Sequence, residues 1–338
     1  MDEQHDSHGT SHPAETPAHE GTHASGGGAE PGEHNLFTDL LHHTQDSRVL
    51  EYPGGHLELP YILIERDGVH CYRSAESLRS AGLYTTTGTG SALRTDTGAP
   101  PMLDMSVTKH VFFLWVAAAL LCLCAVRAAR RNARRMVPSG FGNLVETVVV
   151  FIRDEIAVPN MGQDGVRYLP YLLTTFFFIL IMNLLGLIPY GSTSTGNVNV
   201  TAGLACIAFI MIQASAIRAH GVKQYFAHLT GGVHWALWPI MIPIEILGLF
   251  TKPFALCIRL FANMTGGHIV IVSLIGLIFI FRSYLIAIAP VGFVVAIMFL
   301  EIFVAFLQAY IFTMLTSLFM GLGMEPSHEE RSPHPHVH

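Results

Sequence analysis

From about residue 105 onward, long apolar stretches alternate with short polar ones. The first, Val111–Val126, would be about 24 Å long as a helix, and crosses a bilayer only if its ends extend into His110 and Ala128–Ala129. Leu144–Val158 mixes Val and Ile with Glu146, Arg153, Asp154 and Glu155; it is too polar to span and is expected to lie along a membrane surface. Tyr171–Ile188 and Val200–Ile217 read as the second and third spans, joined by a short external turn, "STSTGNVN". The last two runs, Ile240 to Phe281 and Tyr284 to Leu322, are far longer. As helices they would measure about 63 and 58 Å, against a hydrocarbon thickness of about 30 Å. No polar loop breaks either run, so the pattern predicts two steeply tilted helices paired as a hairpin that turns near Arg282-Ser283. Pro243, Pro253 and Pro290 are possible bending points.

The pattern before residue 105 differs. Residues 1–47 form a His- and Gly-rich tail expected to be disordered, and residues 324–338 a second one. Residues 48–104 form an extramembrane extension. Within it, "HLELPYILIERDGVHCY" alternates as strands do, with a hairpin around Asp67-Gly68. Residues 80–103 return to Gly, Thr and Pro and read as a linker. The fold class is therefore all-α integral membrane: five transmembrane helices plus one interfacial helix within residues 105–323, the last two helices long, tilted and hairpin-paired, with a small irregular/β N-terminal extension.

Composition supports this reading. Hydrophobic residues make up 51% of the 338 and charged residues only 13%, where soluble domains carry about 25% charged. Mean hydropathy is +0.43. Arg127, Arg130, Arg131, Arg134 and Arg135 directly follow the first apolar run. They favour a cytoplasmic end there, which places the N-terminus outside and the C-terminus in the cytoplasm. The same cluster has no aromatic platform beside it, which speaks against nucleic-acid binding. Five cysteines show no disulfide or zinc spacing. The chain also lacks GxxxxGK, HExxH and GxSxG patterns, so neither a solitary NTPase nor a hydrolase is expected, and no metal or cofactor. The histidines of the tails are irregularly spaced and read as solvated low-complexity sequence rather than as a metal site.

The candidate chemistry lies in the two long runs. Counted outward from the expected turn, Arg259 and Gln308 fall at one depth; His268 and Glu301 fall at another, about 14 Å nearer the turn. At 100° per residue, Glu245, Lys252, Arg259 and Asn263 share a stripe about 40° wide, flanked by the small residues Ala255, Ala262 and Gly266. Glu301, Ala305, Gln308 and Phe312 form a second stripe. An arginine at mid-membrane costs roughly 2.5–3.5 kcal/mol. It either snorkels to an interface or holds a fixed cation that attracts a carboxylate and blocks proton passage. His268 and Glu301 are either a pair tying two helices together or a proton relay. Glu245 either draws protons from an inner vestibule or pairs with Lys252. Asn183 reads as a helix–helix hydrogen-bonding group or a channel-lining one. An anion-binding secondary transporter is the rival reading, and an intramembrane metalloenzyme lacks a third ligand.

These residues resemble subunit a of the F-type ATP synthase membrane sector. "LGLFTKPFALCIRLFANM" resembles that family's arginine motif over eighteen residues. "MNLLGLIPY", "FLQAYIFTMLT" and "SVTKHVFFLWVAAAL" are further family-like stretches in the same order. The likeness covers roughly Met105–Gly323. It implies a non-catalytic proton-translocating stator subunit in a bacterial inner membrane, with the c-subunit ring, peripheral-stalk b subunits and the remainder of the ATP synthase complex as partners and protons as the transported ion. By motif position, Arg259 is the essential arginine facing the ring, with Asn263 and Gln308 as polar neighbours. His268 and Glu301 take the outer half-channel positions and Glu245 an inner one. Gly186 and Gly191 depart from relatives that carry acidic residues there, and residues 1–104 exceed the compact members.

Overall fold

The computed structural model describes residues 48–52, 55–66, 68–86, 91–134, 140–188, 194–229, 238–281 and 284–324. Residues 1–47 and 325–338 of the expected tails, the Arg282-Ser283 turn and Gly191 lie outside these, while Met324 ends the last helix. Among the described residues, five helical stretches are long and apolar enough to cross a membrane.

The extension is built from short strands. β1 (Val49–Tyr52) pairs antiparallel with β2 (Gly55–Glu58). β3 (Tyr61–Glu65) pairs with β4 (Gly68–Tyr72), Glu65 opposite Gly68, which is the hairpin expected there. Helix α1 (Ala75–Ser80) follows, opened by a reciprocal cap between Ser74 and Ser77. Residues 80–103 are not simply a linker. They contribute β5 (Tyr84–Thr86) and β6 (Ala92–Arg94), an antiparallel pair. Leu103 begins β7 (Leu103–Asp104), which lies against β3. Tyr61, Leu63, Leu78, Tyr84 and Ala92 form the small core under these strands. The Gly/Thr/Pro composition of this stretch hides strands of only two or three residues.

The extension is stitched to the first span. Met105 N–H donates to Ile62 O at 2.9 Å and Ile62 N–H to Ser106 Oγ at 3.1 Å. Arg48 lies over the Tyr61 ring at 4.6 Å and pairs with Asp104. Helix α2 (Lys109–Arg134) starts three residues after Ser106.

Next come α3 (Phe141–Phe151), a π-helical turn (Ile152–Ala157) and α4 (Val158–Met161). This is the segment expected on a membrane surface, and Arg153, Asp154 and Glu155 are exposed. It is also a core element: Ile152, Ile156 and Ala157 are fully buried, in one cluster with Phe176, Phe312 and Met320. Their spacing puts them on one helical face, and that face meets protein.

A 3₁₀ turn (Gly162–Asp164) leads into α5 (Gly165–Gly186), the second span. A second 3₁₀ turn (Ser194–Gly196) precedes α6 (Val198–Leu229), which is bent at Gly221. The long hairpin helices are α7 (Trp238–Phe281) and α8 (Tyr284–Met324), 44 and 41 residues. α8 is central, packing on α4, α5, α6 and α7. Gly321 of α8 lets α4 approach: a Cβ there would stand 2.0 Å from Asn160 O. α6 and α7 are joined by the stacked rings of Phe209 and Phe250, 5.8 Å apart.

Candidate functional site

The α7–α8 pair is held in register by polar groups. Asn263 Nδ2 donates to Gln308 Oε1 at 2.8 Å, and Lys252 Nζ lies 5.0 Å from the Phe319 ring centroid. Both contacts give the same antiparallel alignment, which puts Arg259 level with Phe312. Counting from the turn had put Arg259 level with Gln308, so the expectation misses by one helical turn. The depth of a residue depends on how the helices cross as well as on its distance from the turn, and only the second can be counted.

The second stripe is a buried face: Glu301, Ala305, Gln308 and Phe312 are all buried. Glu301 packs against the Gly267 backbone, where a Cβ would stand 2.8 Å from Oε1. A side chain at position 267 would displace the carboxylate. His268 is the next residue along α7, and its side chain lies outside the described part. Glu301, Gln308, Asn263 and Asn183 line one small cavity together with Leu260, Met264, Val304 and Ala305. Among the described residues, both oxygens of Glu301 and Nε2 of Gln308 have no hydrogen-bond partner. Buried polar atoms in this state are costly unless water, an ion or a proton reaches them.

Asn183 connects the cavity to the start of α6. It accepts a hydrogen bond from Thr195 Oγ1 at 3.0 Å, and its own Nδ2 lies 3.5 Å from Ala305 O. Ser194 Oγ donates to His110 O at 3.0 Å. Ser194 and Thr195 are buried, although their stretch reads as an external turn in the sequence. Their hydroxyls are satisfied by backbone and amide groups, so burial costs little. Short Ser/Thr runs look the same whether exposed or tucked in, and no sequence signal marks these two.

Arg259 lies about 40° around α7 from Asn263, toward the outward face. It is exposed, as are Thr251, Ala255, Ala262 and Gly266 on the same side of α7. Among the described residues it has no hydrogen-bond or ion-pair partner. The outward face of α7 thus carries Arg259 among small side chains, while the cavity with Glu301 is lined by residues of α5, α7 and α8. Glu245 is half-buried, and among the described residues no ion pair joins it to Lys252. Beyond the bend at Gly221 in α6, Tyr225 comes within electrostatic reach of Glu245, and its hydroxyl donates to Gln213 Oε1 at 2.6 Å. Neither Tyr225 nor Gln213 stands out in the sequence. Among the described residues, no group of three or more His, Cys, Asp or Glu is placed to hold a metal ion.

Comparison with known proteins bears on this arrangement. A family profile described as "ATP synthase A chain" matches residues 111–321. The chain is 53% identical over 238 residues to "ATP synthase subunit a" of Chloroherpeton thalassium, covering 70% of this chain and 71% of that one. It is 45% identical over 328 residues to "ATP synthase subunit a 2" of Prosthecochloris aestuarii, covering 95% and 90%. It is 47% identical over 304 residues to "ATP synthase subunit a" of an Anaeromyxobacter species, covering 87% and 72%. The second of these alignments takes in the extension as well as the spans.

Proposed function

The chain belongs to the ATP synthase A chain family, and from that premise we propose that Arg259 is the fixed cation past which the carboxylates of a c-subunit ring turn, with a half-channel on either side of it. The family is a non-catalytic membrane component of a proton-driven synthase; in this reading the chain makes no covalent bond and bond formation in ATP occurs in partner subunits, with b subunits holding the chain against the ring.

One observation carries the reading: Arg259 is exposed and unpartnered among the described residues, on a face of small side chains, one helical turn from Asn263, which lines the polar cavity. A guanidinium left bare in hydrocarbon is unfavourable by roughly 2.5–3.5 kcal/mol. A carboxylate on a partner helix packed on this face of small residues would offset that cost, because Arg stays charged and pairs bidentately with carboxylates.

The remaining groups supply the two access routes. On one side, Thr195, Asn183 and Glu301 lead from the start of α6 into the cavity, with His268 beside Glu301 in sequence register. A proton arriving from outside passes Glu301, crosses the cavity by way of Gln308 and Asn263, and joins a ring carboxylate. The N-terminus is then outside and the C-terminus cytoplasmic. After a near-complete turn of the ring, the proton leaves towards Glu245. Arg259 keeps the routes apart: its charge repels a proton that would cross directly and favours the ionised form of each returning carboxylate. Membrane potential supplies about 2.3 kcal/mol per charge per 100 mV to this cycle.

The test is Arg259→Ala in membranes that contain the whole complex. ATP-driven proton pumping and ATP synthesis are expected to be lost with the complex still assembled. Coupled pumping at the unmodified rate would refute the reading.

A further inference from the structure

The bend in α6 builds a structure of its own. Gly221 has φ 77 and ψ 160, a backbone state that glycine reaches without strain. A straight helix would hold residues 213 and 225 about 18 Å apart. The observed hydrogen bond from Tyr225 Oη to Gln213 Oε1, at 2.6 Å, requires the chain to fold back on the end of α6. The level of this contact on α7 follows from two others. Phe209 stacks on Phe250, and Thr201 Oγ1 lies 3.5 Å from Cys257 Sγ. In an antiparallel pair, each step forward on α6 is matched by a step back on α7, so Gln213 lies level with Glu245. The Tyr225 phenol is held above its ordinary value by burial first and by the negative charge of Glu245 second. It therefore stays protonated and keeps its hydrogen bond. A phenol and a primary amide between them supply donor and acceptor atoms of the kind that order a chain of waters. Gln213, Tyr225 and Glu245 are each half-buried, at the edge of the protein interior.

We propose that Tyr225 and Gln213 are positioning residues of the inner proton route, holding the hydrogen-bonded step between Glu245 and the aqueous phase on the side of the Gly221 bend. The inference rests on the reading of Glu245 as an inner half-channel group.

Membrane vesicles holding the complete membrane sector, stripped of the catalytic sector, provide the test, with passive proton flux driven by a potassium diffusion potential and expressed per assembled complex. Tyr225→Phe and Gln213→Leu each delete the hydrogen bond between these two residues, from opposite sides. Each is expected to lower flux about three- to tenfold, and the double variant no further than the lower single. Imidazole added to the compartment on the Glu245 side should restore flux in Tyr225→Phe, because a small carrier replaces a missing transfer step and does not repair a misfolded helix. Unchanged flux in both variants, or a loss that imidazole leaves in place, would overturn the proposal. Arg259→Ala in the unstripped complex separates the two levels: loss of coupling there with normal flux in Tyr225→Phe removes only the inner-route residues, whereas intact coupling there removes the stator reading itself.

Discussion

Asn263 and Gln308 hold α7 and α8 together by one hydrogen bond of 2.8 Å, one helical turn from Arg259 on the α7 side. Gln308 is buried, and the partner of its Oε1 sits on the same helix as the arginine. Gln308→Leu strands the Asn263 amide beside a cavity. We expect ATP-driven pumping to fall about two- to tenfold, the range set by one net hydrogen bond. Gln308→Glu keeps an acceptor at that point and should retain more activity than Leu. Equal activity of the two would show that the bond does not hold Arg259 in place.

Among the described residues, the Glu301 carboxylate in the cavity has no hydrogen-bond partner. Glu301→Gln preserves its shape and removes its titration. Proton flux should drop while the assembled complex remains at the unmodified level, measured by passive flux in stripped vesicles. Normal flux at all pH values would leave Glu301 as a structural contact between α7 and α8.

Gly267 gives Glu301 its place. Gly267→Ala puts a Cβ 2.8 Å from Oε1, so the carboxylate has to withdraw. Flux is expected to fall, and Glu301→Asp, which shortens the side chain by a methylene, should recover part of it in the double variant. A double variant worse than either single would count against this packing.

Gly321 is a stability position. A Cβ there meets the Asn160 carbonyl at 2.0 Å, and backbone atoms cannot swing aside as a flexible side chain does. Gly321→Ala should cost about 1–3 kcal/mol, the usual range for overpacking. The readout is thermal unfolding of the purified complex, or the amount of subunit retained in membranes. An unchanged transition would mean that α4 sits looser on α8 than the structure has it.

Asp104 makes the extension acid-sensitive. Burial alone would raise its carboxyl, but hydrogen bonds from the Ser106 hydroxyl and N–H, together with the Arg48 charge, hold it below the usual value. A depressed carboxyl contributes stability that is present above its unfolded value of about 3.9 and lost as pH falls through the lower, folded one. Protection of the Ile62 and Met105 amides, taken relative to their intrinsic exchange rates at each pH, should therefore fall below about pH 4, and Asp104→Asn should lower it already at neutral pH. Protection that stays constant across that window would remove Asp104 from the account.

Much of the spanning domain is legible in sequence because the apolar runs and the 3.6-residue stripes are long. The pairing of α7 with α8 and the burial of Glu301 and Gln308 follow from them. What stays hidden has local causes. Arg259 and Gln308 are offset by a turn because counting residues takes no account of helix crossing. Ser194 and Thr195 are buried in a stretch whose polarity suggests exposure. The reversal at Gly221 lies within a helical-looking segment, so nothing in the pattern brings Tyr225 to Gln213. In residues 84–104, strands of two or three residues are too short to show a period of two.

The stitching of Pro60 and Ile62 to residues 105–107 has a mechanical meaning. These bonds end two residues before α2, so the folded extension and the first span are fastened to each other. Ser194 is fastened to the His110 carbonyl of the same span. The extension thereby bears on where the hydroxyls at the mouth of the cavity sit, through the first span that both hold.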